Sequence, residues 1–225
     1  MDFVTPLVIS HSKRKKYETC PKQFFHTAVV QDVVEQSNDA AVWGNVVHEA
    51  LELRLRDGTP LPPSLLIYEG YCQSILRYPG TLHAELQLAI NRKQLPCEWD
   101  APDAFWRGII DVCILNGSEA RLIDHKTGKV KPDSQLMENA LLVFHTYPEV
   151  QTVKTCFAWL AYNDTTRDVY HRHEIPQMWE KCTPFLSQYM KSFKNDVWPA
   201  KESGLCYGWC PVTSCTHWRK KRVKR

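Results

Sequence analysis

Residues 105–128, FWRGIIDVCILNGSEARLIDHKTG, read as two strands joined by a turn. The first run, 105–115, is rich in β-branched and aromatic residues. The second spans 119–127, and Asn116-Gly117-Ser118 between them is a hairpin signal. Strand residues two apart share a face, so Asp124 and Lys126 point one way and Ile123 and His125 the other. Asp111 interrupts an apolar run between Ile110 and Val112, and the hairpin can bring it towards Asp124. Two carboxylates about 4 Å apart repel by roughly 4 kcal/mol at an effective dielectric of 20. Apolar strands accept that only with a partner, and the natural one is a divalent cation with oxygen ligands, Mg²⁺ or Mn²⁺. Lys126 beside them can neutralise developing charge and help to orient a water. Together these are the parts of metal-assisted phosphodiester hydrolysis. D-x-K alone also describes an exposed ion pair; the combination with Asp111 carries the chemistry.

Working outward, Ser10 and Ser12 are N-cap candidates for a helix from about Lys13 through Phe24-Phe25. Residues 40–56 show a helical apolar stripe at Trp43, Val46, Val47, Ala50 and Leu51, ended by Asp57-Gly58. A further helix is predicted over 63–78 and a strand over 83–91. After Pro132, SQLMENALLVFHTY is helical, 152–162 and 167–175 are strands, and a last helix runs from about Gln177 to Lys194, disturbed by Pro184. This order predicts an α/β fold with a mixed central sheet flanked by helices, preceded by N-terminal helices and followed by a Cys-rich C-terminal module. It is read as one domain over 1–225: a helical part to residue 80, the sheet with its catalytic core over 81–175, and the last helix, cysteines and basic tail over 176–225.

Asp111 followed by Asp124-x-Lys126-Thr-Gly resembles the core of the PD-(D/E)XK (restriction-endonuclease-like) nucleases, and the chain is similar to their RecB-like branch. SHSKRKKYETCPKQFF matches the branch's N-terminal segment, GNVVHEAL its G-x-x-x-H helix, and Gln135, nine residues after Lys126, its glutamine motif. The resemblance implies that His48, Asp111 and Asp124 are metal ligands, with the His125 backbone carbonyl completing the set. It makes Lys126 the catalytic lysine and has Gln135 position the DNA or that lysine. Taken alone, His48 reads as an ordinary, satisfied helix histidine. The family often carries Tyr four residues after the glutamine, where Asn139 stands here. Glu85, on the preceding strand, falls at a commonly acidic family position.

Nine cysteines in an apparently intracellular chain are not a disulfide framework. Cys20 near the start and Cys206, Cys210 and Cys215 near the end resemble the thiolates of iron–sulfur members of that branch, AddB-type and CRISPR-adaptation nucleases, which implies a 4Fe–4S cluster. The spacing C-x3-C-x4-C differs from the usual C-x2-C-x5-C by a shift of the middle ligand, and His217 is a possible substitute. Four thiolates also suit zinc, and buried free cysteines are the third reading. The other five cysteines read as packing residues.

The net charge is +3, with six of the 28 basic residues in the last seven positions; elsewhere 25 acidic residues outnumber 22 basic ones. Basicity is therefore local, in the tail and at Lys13–Lys16, and Lys13, Arg14, Trp218, Arg219 and Lys220 are candidates for DNA contact. The tryptophans could instead pack around the cysteines. No run of about 18 apolar residues and no secretory signal is found, which predicts a cytoplasmic chain without a membrane span. No Walker A loop is present, so any helicase or recombinase would be a separate partner chain. The resemblance implies a metal-dependent DNA exonuclease acting on single strands or ends, in a bacterial cell or its phage. The alternatives are a duplex-end exonuclease of the lambda-exonuclease type and a catalytically silent nucleic-acid-binding module.

Overall fold

A computed structural model of the chain describes residues 7–35, 38–129 and 134–220. The chain divides into two units, one of residues 1–36 with 179–225, the other of 37–178.

The first unit opens with α1 (His11–Thr19), capped by Ser10, whose side chain accepts from the Lys13 amide. The single helix predicted through Phe25 breaks at Cys20, which is extended at φ −162°. The cause is Pro21, which disfavours helical backbone in the residue before it and is itself suited to begin the next helix. Short α2 (Pro21–Phe24) follows and runs into a π-turn at Phe25–Val29.

The second unit is built on one sheet. Helix α3 (Asp39–Asp57) is capped by Asn38, which accepts from the Ala41 amide at 2.9 Å, and ends at Gly58 in the left-handed region, φ +73°. The helix predicted over 63–78 is a 3₁₀ stretch at Pro63–Tyr68 leading into α4 (Glu69–Leu76). Then come β1 (Thr81–Asn91), short β2 (Pro96–Cys97), β3 (Ala104–Asn116), β4 (Glu119–Lys126), α5 (Gln135–Thr146), β5 (Thr152–Trp159) and β6 (Asp164–His171). The strand order is β2-β1-β3-β4-β5-β6, antiparallel throughout except for β4 and β5, which are parallel and joined through α5. The mixed sheet flanked by helices is the architecture expected. In the β3–β4 hairpin, Asn116 pairs with Glu119, leaving the two-residue loop Gly117-Ser118 with Gly117 at φ +58°.

Val47, Leu51 and Leu55 of α3 and Cys72 and Ile75 of α4 pack on Val112, Ile114 and Ile123 of the central strands. Trp43 and Val46, part of the expected stripe, stay 46% and 44% exposed. Helix α5 packs on β1, β3, β4 and β5. It comes close because β3 carries glycine at 108: a Cβ there would lie 2.8 Å from both Asn139 Oδ1 and Leu142 Cδ1.

In the first unit, α6 (Ile175–Asn195), from Trp179 onward, adds Phe185, Tyr189 and Phe193 to Tyr17, Phe24 and Trp198, whose rings meet mostly edge to face. Tyr17 shares a 2.8 Å hydrogen bond with Ser192. Residues 199–220 form turns and one short 3₁₀ segment around the C-terminal cysteines. Among the described residues no helix is long and apolar enough to cross a membrane.

Candidate active site

The β3–β4 ladder ends at the pair Val112–Ile123. One step further, the place of the next backbone partner is taken by a side chain: Asp111 Oδ2 accepts the His125 amide at 2.7 Å. The strands diverge there, and the open end is lined from both faces of the sheet.

On the α3 face, His48 Nδ1 lies 3.4 Å from Asp111 Oδ2, and the His48 ring also has a backbone hydrogen bond with His125. Gly44, one turn earlier, lets α3 pass close to the strand end; a Cβ there would be 3.2 Å from Thr127 Oγ1. The His125 imidazole turns to the same face, its ring centroid 5.7 Å from that of His48 and 5.6 Å from that of Tyr71. One donor atom each from His48, Asp111 and His125 lies within 4.8 Å of the others. The sequence reading assigned His125 only a carbonyl role; the inward turn of its ring follows from strand alternation and the small space between α3 and α4.

On the α5 face, Lys126 Nζ is 2.6 Å from Asp124 Oδ2 and donates to Gln135 Oε1 at 2.8 Å. Gln135 is the first residue of α5, so the helix start fixes the lysine. Asp124 is 2% exposed, Asp111 9%.

The electrostatics follow from burial. Desolvation, then the neighbouring Asp124, hold the Asp111 carboxyl well above the usual carboxylate range. Burial lowers His48, partly opposed by Asp124, and pushes His125 down to about 3, so both imidazoles are neutral at pH 7 and competent as ligands. Glu85 is opposite Asp111 in the β1–β3 register, between the pairs Ala84–Val112 and Leu86–Ile110, with φ +50°. A left-handed glutamate inside a strand is strained backbone of the kind that gathers at functional sites. Burial, then Glu52 and Asp124, raise its carboxyl.

This donor set suits a divalent cation. It combines buried carboxylate oxygens that repel one another with neutral imidazole nitrogen, and the His48–Asp111 separation of 3.4 Å is what two ligands about 2.1 Å from one ion span at an open angle.

The remaining candidates lie in the first unit. Cys20, Cys206, Cys210 and Cys215 line one small cleft together with His217 and Trp218. Burial raises the Cys210 thiol, and the other three cysteines add to it. Cys20 Sγ accepts the Lys201 amide at 3.4 Å, and no three of the four sulfurs lie within 4.8 Å of one another. His217 Nδ1 is 3.3 Å from Glu202. Arg14, a candidate for DNA contact, turns inward: it is 9% exposed, bonded to Glu18 at 3.0 Å and 5.2 Å from the Phe185 ring centre. Lys13 donates to the Val8 carbonyl at 3.0 Å. Trp218 donates to the Cys210 carbonyl at 3.1 Å, so its ring is part of the cysteine turn, while Arg219 and Lys220 are exposed. The rest of the basic tail, 221–225, lies outside the described residues.

Comparison with known proteins agrees with this geometry. The profile of the PD-(D/E)XK nuclease superfamily matches residues 8–215. No curated protein sequence matches. Among solved structures, an exonuclease by provisional assignment from Eubacterium rectale is 12% identical, with 97% of this chain and 89% of that one covered and a TM-score of 0.50. The protein SSO0001 is 12% identical over 93% of this chain and 85% of its own, with a TM-score of 0.41. LHK-Exo, solved in complex with dAMP, is 13% identical over 84% and 90%, with a TM-score of 0.34. At such identities the likeness is one of fold alone. The match spans nearly the whole chain, including the strands and helix that assemble the carboxylate–lysine site, and this chain belongs to the PD-(D/E)XK nuclease superfamily.

Proposed function

We propose that this nuclease is a divalent-metal-dependent exonuclease of the RecB-like branch that hydrolyses single-stranded DNA or DNA ends. The observation that carries the reading is the pairing, at one strand end, of the His48–Asp111–His125 grouping with the Asp124–Lys126–Gln135 chain. His48, Asp111, Asp124 and the His125 carbonyl would hold Mg²⁺ or Mn²⁺, which when bound neutralises phosphate charge and makes water a better nucleophile at neutral pH. Lys126, fixed between Asp124 and Gln135, orients the attacking water and offsets the charge that builds on the phosphate oxygens. Water oxygen bonds to phosphorus as the ester oxygen leaves, and the water's proton passes to solvent or to the leaving oxygen. Asp111, already accepting the His125 amide, is held rigidly for its part as a ligand.

We assign a 4Fe–4S cluster to Cys20, Cys206, Cys210 and Cys215, in the role of tying the chain's two ends together. Tetrahedral zinc is the alternative occupant of the same four thiolates. The setting proposed is recombination, repair or DNA turnover in the cytoplasm of a bacterial cell, from a bacterial or phage gene, with any helicase or recombinase as a separate chain.

The deciding test is cleavage of end-labelled single- and double-stranded DNA with Mg²⁺ or Mn²⁺, comparing the wild type with Lys126→Ala. Metal-dependent cleavage lost in the variant supports the reading, and the label pattern gives polarity. Preference for duplex ends in a ring-sized oligomer would instead indicate the lambda-exonuclease type. DNA binding indifferent to chelator, with no cleavage, would make the chain a silent binding module.

A further inference from the structure

In the first unit, the turn that carries the C-terminal cysteines also carries an exposed apolar patch. Leu205, Tyr207 and Trp209 are 42%, 46% and 63% exposed, three large apolar residues within five positions of the chain. Exposed singly, such residues are ordinary on a protein surface; gathered in one place they mark a contact site. The backbone holds them there. Ser203 caps the 3₁₀ segment Gly204–Cys206, its side chain accepting the Leu205 amide at 3.3 Å. The Leu205 carbonyl accepts the amides of Trp209 and Cys210 at 3.1 and 2.8 Å, and Gly208, between the two aromatic residues, is left-handed at φ +78°. Cys206 is the residue of this stretch that turns inward, 9% exposed.

The charge around the patch selects its occupant. Tyr207 and Arg219 lie side by side in a parallel bridge, and the Arg219 amide donates to the Cys206 carbonyl at 2.8 Å. Arg219 Nη1 donates to the Thr216 and Trp218 carbonyls at 2.7 and 2.9 Å, which fixes the guanidinium beside the turn. In the sequence, Arg219 and Lys220 open a run with six basic residues in seven positions. Over residues 199–220 the acidic side chain is Glu202, 3.3 Å from His217 Nδ1. Aromatic faces beside a basic run are the two elements that hold single-stranded nucleic acid, since bases stack on the rings and Lys or Arg neutralises phosphate. An apolar protein partner would not need the cations, and a polyanion alone would not need the rings.

We propose that Tyr207 and Trp209 form a stacking platform for the bases of single-stranded DNA, with Arg219 and Lys220 taking the adjacent phosphates. This inference rests on the nuclease reading and deepens it. Of the three tryptophans near the C-terminus, Trp198 packs among the rings around Phe24 and Trp218 bonds to the Cys210 carbonyl, which leaves Trp209 as the one turned to solvent. In a duplex the base faces are covered by their neighbours, so the platform favours single strands, and stacking on a ring face tolerates any sequence.

The test uses the full chain carrying Lys126→Ala, in Mg²⁺, and fluorescence anisotropy with labelled oligothymidylate and a blunt duplex of the same length, over a range of salt. Adding Tyr207→Ala or Trp209→Ala should weaken single-strand binding roughly tenfold, the loss of one stacked base, with its salt dependence and the duplex affinity unchanged. Trp209→Phe, which keeps a ring face, should recover most of that loss. Arg219→Gln with Lys220→Gln should instead lower the slope of log affinity against log salt by about 1.4, two phosphate contacts at about 0.7 each. Single-strand affinity within about twofold of the parent in both alanine variants, or an equal loss on the duplex, overturns the proposal. Cleavage of the single strand by the chain with Lys126 intact is read in parallel. Its absence overturns the nuclease reading, whereas cleavage with unchanged affinity in the alanine variants overturns only the platform.

Discussion

Lys126→Met separates the lysine's electrostatic role in the metal-free fold from its role in hydrolysis. The side chains are of similar length, so packing is largely kept and what disappears is the positive charge 2.6 Å from Asp124 Oδ2. At that distance and an effective dielectric of 20 the attraction is roughly 6 kcal/mol, much of it offset by the cost of taking both charges out of water. Removing one partner from such a pair costs about 3–5 kcal/mol, because the other charge stays buried. The carboxylate that loses its lysine limits the damage by taking up a proton. That escape costs about 1.4 kcal/mol for each pH unit above roughly 3.9, or about 4 kcal/mol at pH 7 and 1.5 kcal/mol at pH 5. The charged form is the one disfavoured, so the penalty grows as pH rises. Thermal melts in EDTA should therefore show the variant about 10 °C below wild type at pH 7 and only a few degrees below at pH 5. Mg²⁺ should raise the variant's melting temperature more than the wild type's, since a cation replaces the missing charge, yet cleavage should not return. A loss independent of pH, or no loss at all, would refute the claim that the lysine balances a buried carboxylate.

Asp111→Asn keeps an acceptor for the His125 amide and removes a carboxylate that burial and Asp124 disfavour. Metal-free protein should gain about 1–3 kcal/mol at neutral pH in urea titrations and lose that gain in acid, where wild-type Asp111 is itself protonated; metal binding and cleavage should fall by at least tenfold. For the same reason, apparent Mn²⁺ affinity of the wild type should rise with pH, and calorimetry in buffers of different ionisation enthalpy should record proton release on binding. Gly108→Ala places a Cβ 2.8 Å from the ends of the buried Asn139 and Leu142 side chains, so both must repack: about 1–3 kcal/mol of stability should go, and cleavage should fall because they belong to α5, whose first residue is the glutamine that holds Lys126. Purified anaerobically, the wild type should show a visible thiolate-to-iron absorbance and Cys206→Ser should not; a colourless wild type would refute the proposed cluster.

The parts of the site legible in the sequence are those that obey strand periodicity. Asp124 and Lys126, two apart, share a face and meet Gln135, and the β3–β4 hairpin brings Asp111 to their strand, as the spacing predicts. The other pieces depend on tertiary packing, which no local pattern encodes. Alternation says that the His125 ring faces away from Lys126, but not that α3 and α4 place His48 and Tyr71 around it. Nothing in LHAELQL marks Glu85 for left-handed backbone, and a buried Arg14 is indistinguishable in a basic run from an exposed one. Where local chemistry does decide, as in the helix break before Pro21, the signal is in the sequence itself, since proline disfavours helical backbone in the residue before it.

The exchange of a backbone pair for a side-chain one explains why the site is at this position in the sheet. Had β3 continued to pair with β4, the His125 amide would bond to a backbone carbonyl and the strands would leave no opening. An aspartate at 111 instead takes the amide for itself, ends the ladder at Val112–Ile123 and leaves a gap reached by a histidine from one face and a lysine from the other. Its buried negative charge is unfavourable in the metal-free protein, so the same residue that opens the sheet creates the demand for a cation there. On this view fold stability and metal binding are coupled through one carboxylate, and a substitution that relieves the first must weaken the second.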